Sequence, residues 1–111
     1  MPRPALFVVK ATIAPAREAA FNEWYDTELA AEAAMVPGLL AMRRYVPVAL
    51  DVGAHQGVEP WQYMVVYEFD SEEALRAFAA SDTLKTMTRD YETRFGGAGH
   101  RARFAYRQIF P

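Results

Sequence analysis

Residues 61–69, WQYMVVYEF, decide the fold. Trp61, Tyr63, Val65, Tyr67 and Phe69 fall on one side of an extended chain, and Gln62, Met64, Val66 and Glu68 on the other. Alternation of aromatic and β-branched residues at period two is the pattern of a strand. Both sides are mostly apolar, so both need a cover. Upstream, ALFVVKAT (Ala5 to Thr12) reads as a strand covered on both faces, with Lys10 its one charge. AMRRYVPV (Ala41 to Val48) reads as another, with Pro47 near an end because it has no N–H to give to a ladder. Downstream, HRARFAYRQIF (His100 to Phe110) alternates again and closes the chain as a last strand.

Between these strands the period changes. From Pro15 to about Met35 the composition is helical, with Pro15 in the first turn and Val36-Pro37-Gly38 as the stop. Leu50 to Pro60 has no period and reads as a long exposed connection. Asp70 or Ser71 caps a short helix to about Ala80, and Asp70 with Glu73 has capping-box spacing. Ser81 or Asp82 opens a second helical piece that presents Leu84, Met87, Thr88, Tyr91 and Phe95 on one face, and Gly96-Gly97 ends it. The order β, α, β, β, α in two pieces, β predicts one α+β domain over residues 1–111. It is the ferredoxin-like βαββαβ arrangement, a four-stranded antiparallel sheet with helices on one face. Because the strands are apolar on both sides, the other face needs a cover, and a second copy supplies one. A homodimer is therefore expected.

Length and composition narrow the function classes. With 111 residues, 52% of them hydrophobic, the chain fits one core. Its two Trp, six Tyr and seven Phe exceed what one helix layer on one sheet needs, so some line a pocket or an interface. The absence of cysteine excludes disulfides, thiolate metal sites and a cysteine nucleophile. The apolar run after Met1 to Pro4 is too short for a signal core or a membrane span, so a cytoplasmic protein without a membrane partner is expected. Acidic residues dominate through Leu84 and basic ones from Lys85 onward. Arg101, Arg103 and Arg107 on the last strand suit the acidic front half or an anionic ligand better than nucleic acid, which is not expected as a partner. No phosphate-cradling glycine loop, serine elbow or dinucleotide fingerprint is present.

Chemistry is sought on the first helix. Projected at about 100° per residue, Phe21, Trp24, Tyr25, Glu28, Glu32 and Met35 fall in one stripe. Two carboxyls four residues apart in a poorly hydrated place cannot both ionise cheaply, and one that keeps its proton suits general acid or base work. Alternatively both reach water at the helix edge, or pair with Arg43, Arg44 or Arg103. Phe21 and Trp24 serve the core or stack on a ligand, and the Tyr25 hydroxyl could donate to a substrate carbonyl. Tyr63 and Tyr67 share a strand face and could project hydroxyls into a cleft under the helices. Glu68 suits an ion pair with Arg43 or Arg44. His55 and His100 each stand alone, although His100 could titrate near neutral pH. A metal site built from Glu28, Glu32 and a histidine has no spacing to support it, so none is expected.

The run Asn22-Glu23-Trp24-Tyr25-Asp26-Thr27-Glu28, followed by Val36-Pro37-Gly38 and Arg43-Arg44-Tyr45, resembles the EthD-like branch of the dimeric α/β-barrel superfamily. Tyr67-Glu68-Phe69-Asp70-Ser71 followed by Glu73-Ala74 looks like the strand-to-helix junction of the same family. That superfamily holds cofactor-free monooxygenases, polyketide cyclases, lactone isomerases, lyases, haem-degrading enzymes and auxiliary proteins. Relatives commonly follow the acidic residue after tryptophan-tyrosine-aspartate with a histidine, where this chain has Leu29. Acid–base work would then pass to Glu28, Glu32, Tyr25 or His100, or be absent, and haem use loses support.

The expectation is an enzyme without metal or organic cofactor, acting by proton transfer as a cyclase, isomerase or lyase. Its substrate would be a small, largely apolar aromatic, polyketide or lactone-like molecule held between sheet and helices. Glu28 or Glu32 would be the acid or base, Tyr25 and Tyr67 would steady an oxyanion, and Phe21, Trp24, Met35 and Trp61 would exclude water, with Tyr63 and Arg44 also lining the site. A binding or auxiliary protein without turnover is one alternative, favoured by the missing histidine. A cofactor-free monooxygenase acting on an electron-rich phenol is another.

Overall fold

Alternation in WQYMVVYEF becomes strand β3, Tyr63–Phe69, flanked by β2 (Leu39–Tyr45) and β1 (Ala5–Ala11), with β4 (Arg101–Arg107) beyond β1. The computed structural model describes residues 3–111; Met1 and Pro2, part of the opening segment, lie outside it. The sheet order is β2-β3-β1-β4 and every neighbouring pair is antiparallel. This is the ferredoxin-like βαββαβ architecture. The strands are shorter than the sequence runs: β2 stops at Tyr45 ahead of Pro47, and β4 stops at Arg107, not Phe110.

Registers assign each residue to a face. Ala5, Phe7, Val9 and Ala11 of β1 lie beside Phe69, Tyr67, Val65 and Tyr63 of β3, and all face the helices. With Phe21, Leu75, Phe78, Met87 and Phe95 from the helices they form the core, in which Phe21 and Phe69 are the largest fully buried side chains. Helix α3 (Glu72–Ala79) starts at Ser71, whose Oγ accepts from the Ala74 N–H at 3.1 Å. Because Ser71 holds the cap, the anticipated Asp70–Glu73 box is out of phase by one residue. Helix α4 (Asp82–Phe95) is capped the same way by Ser81 on the Leu84 N–H. At the turn into β2, Gly38 has φ +78°, and a Cβ there would stand 2.6 Å from Ala74 Cβ, so only glycine fits.

The first helical rod departs from regular geometry. A 3-10 turn (Pro15–Arg17) leads into α1 (Glu18–Trp24), a π turn (Tyr25–Leu29) and α2 (Ala30–Ala33). A π turn absorbs one extra residue, which sets everything after it back by about 100°. The slots projected for Glu28, Glu32 and Met35 are consequently filled by Leu29, Ala33 and Val36, all buried. Deleting Thr27, an exposed residue of the π turn, should restore a regular helix with Phe21, Trp24, Tyr25, Leu29, Ala33 and Val36 in one stripe. The expected cost is within about 1 kcal/mol by urea unfolding; loss of cooperative folding would show that the extra residue is structurally required.

The second sheet face carries Leu6, Val8, Met64, Val66, Phe104 and Tyr106, interrupted by the Arg43–Glu68 (2.9 Å) and Lys10–Glu59 (3.1 Å) ion pairs. Among the described residues no helix crosses it: Tyr45, Phe104 and Tyr106 remain 44%, 38% and 52% exposed. Among the described residues, no helix is long and apolar enough to cross a membrane.

Candidate active site

The π turn decides which groups of the first rod face the sheet. Tyr25 and Leu29 point inward and are buried, whereas Glu28 is turned out and pairs with Arg94 of α4 at 2.7 Å. Glu32 sits at the helix edge. Its carboxyl pKa is raised by lost solvation, then by the Asp90 and Glu28 carboxylates, against the pull of Arg94. The two glutamates therefore do not stand in the apolar stripe expected of them, and Met35, 83% exposed, walls nothing. In each case the cause is the one-residue phase shift.

Other anticipated site residues are drawn into the scaffold. Arg44, expected to bind substrate, clamps β2 to the first rod: it donates to Asp26 Oδ1 and Asn22 Oδ1, both at 2.8 Å, and stacks 4.9 Å from the Tyr25 ring centroid. Tyr63 donates to Glu18 Oε2 at 2.7 Å and accepts from Asn22 at 3.1 Å. The Asn22-to-Asp26 run is thus a set of partners for β2 and β3. Phe21 and Trp24 are buried among Tyr25, Tyr91 and Phe95. Trp61 lies away from the helices, in an apolar recess of about 240 Å³ with Tyr45, Val46, Val48 and Met64. His100 is exposed and joins the strand ends by backbone bonding with Thr12. Among the described residues no three His, Asp or Glu side chains gather as a metal-ligand group.

What does converge lies between α4 and β4. Arg101, Arg103 and Arg107 face the helix side of the sheet, because they pair with Ala11, Val9 and Ala5. Arg101 stacks on the Tyr91 ring at 3.6 Å and lies within hydrogen-bonding reach of the Tyr25 hydroxyl. Arg103 donates to Thr88 Oγ1 at 2.6 Å. An open recess of about 350 Å³ is bounded by Thr88, Tyr91, Glu92, Phe95, the glycines after α4 and residues 101–103. Beneath it a cavity of about 20 Å³ is lined by Phe7, Val9, Trp24, Tyr25, Leu29, Tyr67, Met87 and the same two arginines. Gly99 shapes the recess, since it passes too close to the Thr12 carbonyl for any side chain. Thr88, Tyr91 and Glu92 are not among the expected site residues, and Arg101 and Arg103 are expected only to suit the acidic front half or an anionic ligand; the locally basic tail and the alternation of residues 100–110 are the signals for the arginines.

Electrostatics fix the protonation of these groups. Burial raises the pKa of Tyr25, and Arg101 opposes the rise. Tyr67 is raised further, again by burial first, and Tyr91 is pushed up to about 12. All three stay neutral phenols near pH 7 and act as hydrogen-bond donors, not bases. The Tyr91 hydroxyl is buried without a partner. Arg103 has its pKa lowered by lost solvation and then by Arg101, the signature of two cations crowded together. Glu92, at 3.8 Å from Arg101, is the carboxylate nearest the recess. An oxyanion placed in this open recess would meet two guanidiniums beside the Tyr91 and Phe95 rings.

Fold and site together define an α+β domain of the ferredoxin-like fold. Comparison with solved structures agrees. An ethyl tert-butyl ether D (EthD) family protein from Bacillus halodurans shares 22% identity over 92% of this chain and 96% of its own, with TM-score 0.59. A dimeric ferredoxin-like protein from Thermobifida fusca shares 14% over 97% and 93%, with TM-score 0.66. The cofactor-independent oxygenase SnoaB from Streptomyces nogalater shares 14% over 98% and 96%, with TM-score 0.67. No family model and no curated protein matches the sequence. Identities this low carry the fold and not the reaction.

Proposed function

We propose that the chain is a cofactor-independent enzyme acting on a small aromatic or polyketide-like molecule by proton transfer in the recess between α4 and β4. The observation that carries this reading is the pair of guanidiniums, Arg101 and Arg103, that border a recess wide enough for a ring, with Tyr25 in the small cavity the same two arginines line. Loss of a proton from a ring hydroxyl or from carbon beside a carbonyl puts negative charge on one oxygen. In this reading Arg101 holds that oxygen, and Glu92, the carboxylate bordering the recess, takes the proton. Glu28 and Glu32 have no part in this scheme. Trp24, Leu29 and Met87 give the inner end apolar walls.

A monooxygenase reading shares the first step, and the likeness to an oxygenase fold favours keeping it. A phenolate held at Arg101 is electron-rich and can reduce dioxygen: a phenol and O2 become a quinone and water, with no added reductant. The same proposal makes the protein a cytoplasmic homodimer joined through the uncovered sheet face. Sedimentation at micromolar concentration should give twice the 12.5 kDa chain mass, and a single-subunit mass would reject the dimer.

The function is tested by following absorbance of hydroxylated naphthalenes and enolisable polyketide-like compounds, with and without dioxygen. Conversion in both conditions supports proton transfer alone, and conversion with oxygen uptake supports the oxygenase. Saturable binding with no conversion of any compound would reject the enzyme in favour of an auxiliary binder.

A further inference from the structure

The three inward-facing arginines of β4 are not treated alike. Arg107 is chelated by Glu72, at 2.8 and 3.3 Å, and Glu72 also holds Arg76. Elsewhere the chain pairs Arg43 with Glu68, Arg44 with Asp26 and Arg94 with Glu28, all within 3.0 Å. Close carboxylates are thus supplied to five arginines of the scaffold, although among the described residues Arg17 holds the Arg94 carbonyl and the Phe95 ring without one. At the recess close carboxylates are not supplied. Among the described residues Arg103 has no carboxylate within 4.0 Å, only the Thr88 hydroxyl, and Arg101 has Glu92 at 3.8 Å, an exposed and loosely held partner.

Two guanidiniums two residues apart on one strand face repel each other, and repulsion of this kind costs stability unless something relieves it. The recess they border is large enough for a bicyclic ring: its roughly 350 Å³ exceeds the ~150 Å³ apolar cavity that accommodates benzene. Tyr91 borders the recess and carries Arg101 stacked on its ring at 3.6 Å, which holds that guanidinium at the recess wall.

We infer that the substrate of this site is an aromatic acid, a ring bearing a carboxylate that Arg101 and Arg103 grip together while the ring lies against Phe95 and Tyr91. This rests on the recess being the active site, and it adds that the ligand arrives already ionised. Guanidinium is suited to the task because its planar fork matches the two oxygens of a carboxylate.

Binding of 2-naphthoate and of its neutral isostere 2-naphthamide, followed by calorimetry, tests the inference. The acid should bind at least about tenfold more tightly than the amide, since hydrogen bonds to charged groups are worth that much. Its affinity should fall as salt rises from about 50 to about 500 mM, and the amide's should not. Arg103→Met should cost the acid about tenfold and leave the amide within about twofold. Arg103→Lys, which keeps charge and loses the fork, should fall between, and Arg107→Met should change neither. Unfolding midpoints of all variants show whether they are folded. Equal binding of acid and amide, or acid binding indifferent to both Arg103 variants, overturns the inference and leaves the recess standing. Failure of both compounds to bind overturns the recess as well.

Discussion

Replacing Phe21 by alanine should cost about 3–5 kcal/mol, the range for emptying a fully buried aromatic site. Phe21 is 1% exposed and lies 4.8 Å from Tyr25, 5.1 Å from Tyr63 and 5.8 Å from Phe95, between ring centroids. It joins the first rod to β3 and to the end of α4. Rings on three sides belong to three different elements, so they cannot close together around the gap, and most of the cavity would persist. Arg44, 5.7 Å from the same ring, would also lose a stacking surface. Urea unfolding monitored by circular dichroism measures the effect. A loss under about 1 kcal/mol would mean that the three elements are not held together at this point.

Arg101→Met should lower turnover by about 10²- to 10³-fold, as expected for removing one preorganised donor to a developing oxyanion. Methionine keeps the unbranched stem, so Tyr91 retains an apolar neighbour while the charge and the contact with Tyr25 are lost. Because Arg101 is assigned the developing oxyanion together with a share of the substrate carboxylate, the fall should appear in kcat/KM, with kcat lowered and KM raised. Glu28→Gln with Glu32→Gln should stay within about twofold, since both carboxyls lie outside the recess. Steady-state kinetics on the compound converted in the screen reads both. If the double glutamine variant loses turnover and Arg101→Met does not, the chemistry belongs to the first rod after all.

The architecture was legible because it rests on period-two alternation, and WQYMVVYEF and RARFAYR keep that alternation without a break. Capping was legible to within one residue: at Asp70-Ser71 both side chains can cap, and only backbone geometry selects Ser71. The site was largely hidden. A projection at 3.6 residues per turn assumes that no residue is absorbed along the way, and the π turn breaks that assumption between Tyr25 and Leu29. A signal did exist. Leu29, Ala33 and Val36 repeat the spacing of Glu28, Glu32 and Met35 one residue later, and burying apolar groups costs less than burying carboxylates.

Arg101 and Arg103 illustrate a different obstacle. Their side of β4 follows from alternation, but whether an arginine meets a carboxylate or an empty recess depends on what α4 presents across the gap. Thr88, Tyr91 and Glu92 are spaced along α4 at intervals that say nothing about β4 until the registers are known. Trp61 misled for a related reason: it continues the alternation of β3 but precedes its first paired residue, Tyr63, and so escapes the face it was assigned to.

Amide chemical-shift mapping during titration with 2-naphthoate asks directly where a ring binds. The account predicts shifts concentrated at Thr88, Tyr91, Gly96, Gly97, Arg101 and Arg103, around the recess between α4 and β4. Shifts confined instead to Tyr45, Val46, Val48, Trp61 and Met64, in the recess on the opposite face of the sheet, would contradict it.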